Sequence, residues 1–235
     1  MLKKVFIIAI VILIPVFIGL FYFFAQHNSK DTVEAVMDNK IFISWQKVTI
    51  AEKAEAISIN IALPRMIIPD DYELEDMINK TIARDIELLK NDFISTVSTA
   101  AEDNGETNTL NINTEILLVS PRLISLAFTI TTHIAGAKDD DPERIFLIFD
   151  LINSELVEEN ELFRDDLAWS KAVKAMKTLL LSNYQETTNC DLFFAPKRNG
   201  FSASCIGAHF SIIKDIPISL IQEFLAPSVL SDIIK

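Results

Sequence analysis

The stretch TTHIAGAKDDDPERIFLIFDL, residues 131–151, gathers the side chains best suited to chemistry: His133, the run Asp139, Asp140 and Asp141, and Asp150. An imidazole near its neutral point beside carboxylates is the raw material of acid–base catalysis, and adjacent acids offer oxygen ligands to a cation. The spacing argues against both uses. Calcium loops set their acids at alternate positions and turn on a glycine, whereas here Pro142 follows the third aspartate at once. Three adjacent carboxylates repel one another and prefer water, so Asp139–Asp141 is expected to be a solvated acidic hairpin tip.

The other histidines, His27 and His209, add no HExxH, no Cys/His ligand spacing and no pair at i,i+4. The five glycines form no phosphate loop, and G-x-S-x-G is absent. No metal, cofactor or catalytic residue is therefore assigned. His133, Asp139, Asp140, Asp141 and Asp150 stand as candidate ligand-binding residues. Cys190 and Cys205 flank a predicted hairpin centred near Lys197–Asn199, which makes them a candidate disulfide, with two buried thiols as the alternative.

The elements that must position these residues begin with residues 5–24, VFIIAIVILIPVFIGLFYFF, a run without charge. As a helix it spans about 30 Å, the thickness of a bilayer core. Its length exceeds a signal-peptide core, and Phe23 fills a position that a cleavage site needs small, although a cleaved signal is the competing reading. Lys3 and Lys4 on the short side place the N-terminus in the cytoplasm. The expected division is a cytoplasmic tail at 1–4, a transmembrane anchor at 5–25, a connector at 26–52 and an extracytoplasmic domain at 53–235. Removing the two anchor lysines from the net charge of −12 leaves −14 outside. That balance suits cationic partners and excludes general nucleic-acid binding.

Within 53–235, EAISINIALP alternates with Ile57, Ile59, Ile61 and Leu63 on one face and Ser58 and Asn60 on the other, which predicts a half-buried strand. Leu74, Ile78, Ile82, Ile86, Leu89, Phe93 and Val97 recur at three and four, which predicts one long amphipathic helix closing the core. Strands follow at about 109–119, 122–133 and 144–151, the last two forming a hairpin around the acidic tip. A second helix starts near Asp165, and a hairpin turns at Asn199-Gly200. Short helical pieces broken at Pro227 end the chain. This order predicts an α+β fold with both helices packed on an antiparallel sheet.

The segment ISINIALPRMIIPDDYELEDMINKTIARDIELLKNDF, with Ile78-Asn79 and Ile82, resembles the opening of the external domain shared by RsiV-type lysozyme-sensing anti-sigma factors and PdaC-type peptidoglycan deacetylases. Ala135-Gly136-Ala137, Phe149-Asp150-Leu151, the helix at 165–183 and the last hairpin extend the resemblance over about 53–225. Lys138 stands where that family often has histidine. The resemblance implies a sensing or binding module rather than a catalyst, and the sigma-binding and deacetylase parts of those relatives have no counterpart in these residues. The expected function is a single-pass, membrane-anchored binding or sensing module of the cell envelope. Its expected partners are the membrane through residues 5–24 and a cationic extracellular protein or cell-wall component. A wall-polymer hydrolase and a scaffold subunit of a membrane complex are the alternatives.

Overall fold

The computed structural model describes residues 30–34, 41–52, 57–100, 107–136, 142–183, 190–207 and 210–234. The membrane helix expected at 5–24, the tip Asp139–Asp141, His27 and His209 lie outside them. Among the described residues no helix is long and apolar enough to cross a membrane.

Period-two alternation drives strand β3 (Ile57–Ile67), whose Ile57, Ile59 and Ile61 are buried. Helix α1 (Tyr72–Ala100) follows, about 43 Å long at 1.5 Å per residue. Asp71 accepts the Leu74 N–H at 3.0 Å and so caps its start. Asn79 then docks the helix onto β3. Its Oδ1 accepts the Met66 N–H at 2.9 Å and its Nδ2 donates to the Met66 carbonyl at 2.8 Å. The asparagine of the Ile78-Asn79 motif thus pairs with the backbone as a neighbouring strand would.

Strands β4 (Asn108–Val119), β5 (Leu123–His133), β6 (Glu143–Asp150) and β7 (Glu155–Leu156) continue the sheet. Strands β1 (Lys30–Glu34) and β2 (Phe42–Glu52) precede β3, so the stretch expected as a connector contributes two strands. The large sheet runs in sequence order β1 to β7. The expected all-antiparallel sheet needs one correction: β3 and β4 are parallel, from Ile57↔Asn108 to Ile61↔Ile112. A parallel neighbour requires a long crossover, and α1 is that crossover. The predicted hairpin of β5 and β6 is present, from Leu123↔Asp150 to Ile130↔Glu143.

Helix α2 (Asp166–Leu180), capped by Asp165 on the Ala168 N–H at 2.8 Å, leads to a second sheet in the order β10-β9-β8. Its strands are β8 (Asp191–Lys197), β9 (Gly200–Gly207) and β10 (Phe210–Pro217). The β8–β9 turn falls on Arg198 and Asn199, one residue before the expected pair, because Gly200 already pairs with Lys197. Asn199 takes φ 63°, which asparagine tolerates, while a Cβ on Gly200 would run into the Ile216 carbonyl. Strand β10 adds a third strand to the expected hairpin, paired antiparallel with β9 from Phe210↔Gly207 to Pro217↔Gly200. Pro227 opens helix α3 (Pro227–Ile234) rather than breaking a helix, since proline suits a first turn.

Two cores share the large sheet. On one face Leu74, Ile78, Ile82, Ile86, Phe93 and Val97 of α1 meet Ile59, Leu110, Leu126 and Phe149. On the other, Leu118, Leu123 and Ile148 meet Met176 of α2 and Phe194, Phe201 and Ile216 of the small sheet. The ring of Phe194 lies 5.9 Å from Phe163, 5.5 Å from Trp169 and 5.8 Å from Phe201. Residues 123–128 of β5 are buried on both faces because they lie between the two cores.

Candidate binding surface

The face of the large sheet opposite α1 divides in two. The small sheet covers the half around Leu118, Leu123 and Ile148. The other half is polar because three strands alternate in the same phase. Ser58 and Asn60 oppose the β3 isoleucines, Thr109, Asn111 and Asn113 alternate with Leu110 and Ile112, and Thr129, Thr131 and His133 alternate with Phe128 and Ile130. The register aligns these residues in rows across the strands. One row is Ser58, Thr109 and His133, the next Asn60, Asn111 and Thr131, and a third begins with Asn113 and Thr129. Neighbours in a row are about 4.8 Å apart and successive rows about 6.8 Å apart, giving a patch of about 10 by 14 Å. Asn60 Nδ2 donates to Asn111 Oδ1 at 3.1 Å across the first two strands. Asn113 is exposed and the other residues of the patch are half-buried.

Arg144 of β6 sits where the third row meets the small sheet, opposite Thr129. Its Nε donates to Thr129 Oγ1 at 3.2 Å, Nη1 to Ser202 Oγ of β9 at 2.8 Å and Nη2 to Glu115 Oε2 at 2.7 Å. The fork is 17% exposed, whereas Glu115 is 54% exposed. Four residues along β5 from Thr129, within the covered half, the buried Ser125 hydroxyl donates to the Pro196 carbonyl. The sheets are thus joined by Arg144 at the border of the patch, and beyond it by apolar packing with the Ser125–Pro196 hydrogen bond within it.

The candidates expected from the sequence do not assemble. His133 ends β5 opposite Thr109 and belongs to the polar patch. Asp150 pairs with Leu123 at the other end of the same strand, ten residues and therefore about 34 Å away. Asp150 is buried and braces a turn. Its carboxylate accepts the N–H groups of Ile152 at 2.8 Å and Asn153 at 3.0 Å, and Arg122 Nε and Nη2 at 3.1 and 3.0 Å. Burial raises its pKa, but the Asn153 and Ile152 N–H groups and Arg122 outweigh that and hold it below the ordinary value. These bonds account for the FDL motif structurally. Among the described residues no group of three or more His, Cys, Asp or Glu side chains is placed to hold a metal ion.

Cys190 and Cys205 are bonded, with Cα atoms 5.5 Å apart, and both are buried against Phe194 and its neighbours. Two further residues stand out only in the structure. Arg144 unites partners from β4, β5 and β9, and its only signal was a charge in phase with Phe146 and Ile148. Glu159, in the turn Glu159–Leu162, accepts the Phe194 N–H at 2.8 Å, and burial pushes its pKa up to about 7 despite that bond.

No protein-family model and no curated protein sequence matches the chain. Solved structures do. A member of the DUF3298 family from Bacteroides fragilis superimposes with a TM-score of 0.54 at 15% identity, over 88% of this chain and 98% of its own. A DUF3298 family protein from Pseudomonas aeruginosa superimposes with a TM-score of 0.52 at 13% identity, over 85% and 97%. At such identities the likeness is one of fold, and this chain carries the α+β fold of those domains of unknown function.

Proposed function

We propose that the protein is a membrane-anchored binding or sensing module of the cell envelope, held outside the cytoplasm and without catalytic activity of its own. On this reading it is a relative of the RsiV-type and PdaC-type external domains. The observation that carries the reading is the buried Cys190–Cys205 bond. Such bonds persist in oxidising surroundings and are rare in the cytoplasm. The apolar run 5–24, with Lys3 and Lys4 before it, supplies the anchor and the same orientation. The separation of His133 from Asp150 supports recognition over acid–base chemistry. A cell-wall component and a cationic extracellular protein are the candidate partners.

Protease added to right-side-out membrane vesicles carrying the full chain should digest the domain while the membrane is intact. Protection until detergent is added would refute the reading. Mass spectrometry of the non-reduced protein should show two hydrogens fewer than the reduced chain, and two free thiols would remove the observation on which the location rests.

A further inference from the structure

We propose that the polar half-face of β3, β4 and β5 binds a neutral polysaccharide laid across the strands. The proposal rests on the module reading above and names its ligand. Three observations carry it. First, asparagine is disfavoured in strands, yet Asn60, Asn111 and Asn113 occupy the interior of two neighbouring strands. Threonine alone would have solvated this face at no cost in strand propensity.

Second, the first two rows are without Asp, Glu, Lys or Arg in a highly charged chain, and the Arg144–Glu115 pair bounds them at the third row. The sequence has 33 acidic and 21 basic side chains, and none of them occupies the rows Ser58–Thr109–His133 and Asn60–Asn111–Thr131 or the position of Asn113. A surface kept only for solubility would carry mixed charge. A cationic or anionic partner would be met by the opposite sign. A neutral partner is met by neither, and this face matches it.

Third, the chemistry and shape fit sugars. Each amide and hydroxyl both donates and accepts, as each sugar hydroxyl does. Short side chains on a paired sheet leave little rotamer freedom to lose, and the Asn60–Asn111 bond at 3.1 Å fixes the orientation of two amides in advance.

The test is titration of the full chain, in a detergent without a sugar headgroup, with chitohexaose and separately with cellohexaose. Saturable binding of at least one is expected. Asn113→Asp and Thr131→Val change charge or hydroxyl at nearly constant size. With melting temperatures held, each should weaken binding by about tenfold, the scale of one lost hydrogen bond. Binding of neither oligosaccharide by the folded protein, or an affinity equal to the parent's in both variants, would overturn the proposal. The vesicle assay separates the two readings: a digested external domain that ignores both sugars removes the glycan ligand alone, and a protected domain removes the module reading.

Discussion

Glu159 makes the stability of this domain depend on pH in a direction opposite to most carboxylates. Its carboxyl is half-buried in the turn before α2 and accepts the N–H of Phe194, the centre of the aromatic cluster. Desolvation lifts its pKa from 4.5 to about 7, and the Phe194 bond offsets only part of that. In the unfolded chain the group ionises near 4.5, so between 4.5 and 7 the folded protein holds a proton that the unfolded chain has lost. Stability from this group is therefore full below about 4.5 and is lost as pH rises through about 7. At about 1.36 kcal/mol per tenfold change in proton affinity, the whole effect is about 3 kcal/mol. Glu159→Gln keeps the acceptor and the size but cannot ionise. The variant should melt with the parent at pH 4 and above it at pH 8, by about 6–12 °C on the usual scale for a domain of this size. The quantity to read is variant minus parent at each pH, which cancels every other titrating group. The same difference at both pH values, or a variant less stable at pH 8, would refute the assignment.

Asn79→Leu strips both hydrogen bonds from Met66 and should cost about 2–4 kcal/mol in urea unfolding, with Asn79→Asp intermediate because it keeps the acceptor. Removing the Cys190–Cys205 bond, by reduction or by double replacement with alanine, opens a loop of 15 residues and should cost about 3 kcal/mol, read as a lower melting temperature. Asp150→Asn should destabilise the protein at pH 7. Because the folded pKa of Asp150 is lowered, its contribution is present above about 3.8 and fades as pH falls through the folded value, so the gap to the parent should close in strong acid. A gap that is constant with pH would mean that the turn depends on shape rather than charge.

What could be read in the sequence was whatever one segment decides alone. The spacing of Leu74, Ile78, Ile82 and Ile86 fixes the inner face of α1 whatever it packs on, and all four are buried. The alternation around Ile57 and Phe128 likewise fixes which side of each strand is polar. Pairing is different, because it is settled between segments. Nothing in β2 announces a strand on its own, since FISWQKVTIAE lacks a clean polar face, yet it is held by an unbroken register with β3 from Phe42↔Ile67 to Glu52↔Ile57. The parallel pairing of β3 with β4 follows from where α1 returns the chain. The candidate site failed for the same reason. His133 and Asp150 flank one hairpin in sequence, but antiparallel strands put the first at the loop end and the second at the far end. Arg144 gathers Glu115, Thr129 and Ser202 from three strands, an assembly that no spacing records.

The border between covered and open sheet is set by one irregularity. The register of β4 against β5 slips between Ile116 and Leu118, so Ile116 faces Leu126 and Leu118 faces Ser125. Without the slip, Leu118 would follow Ile116 onto the α1 side, because a one-residue shift exchanges the faces of a strand. The bulge at Leu117 turns Leu118 to the second core, where it meets the small sheet, and leaves Val119 on the first. Upstream of the bulge the same face carries Thr109, Asn111 and Asn113, and the small sheet has no apolar surface there to seat on. On β5 the change falls between the buried Ala127 and Thr129, beside Arg144. The small sheet therefore stops where the strands change from apolar to polar. Among the described residues, the polar patch is the remainder of a seven-stranded sheet whose second face the small sheet covers only in part. Its asparagines are what that geometry does not require, and they are where selection for a ligand would be written.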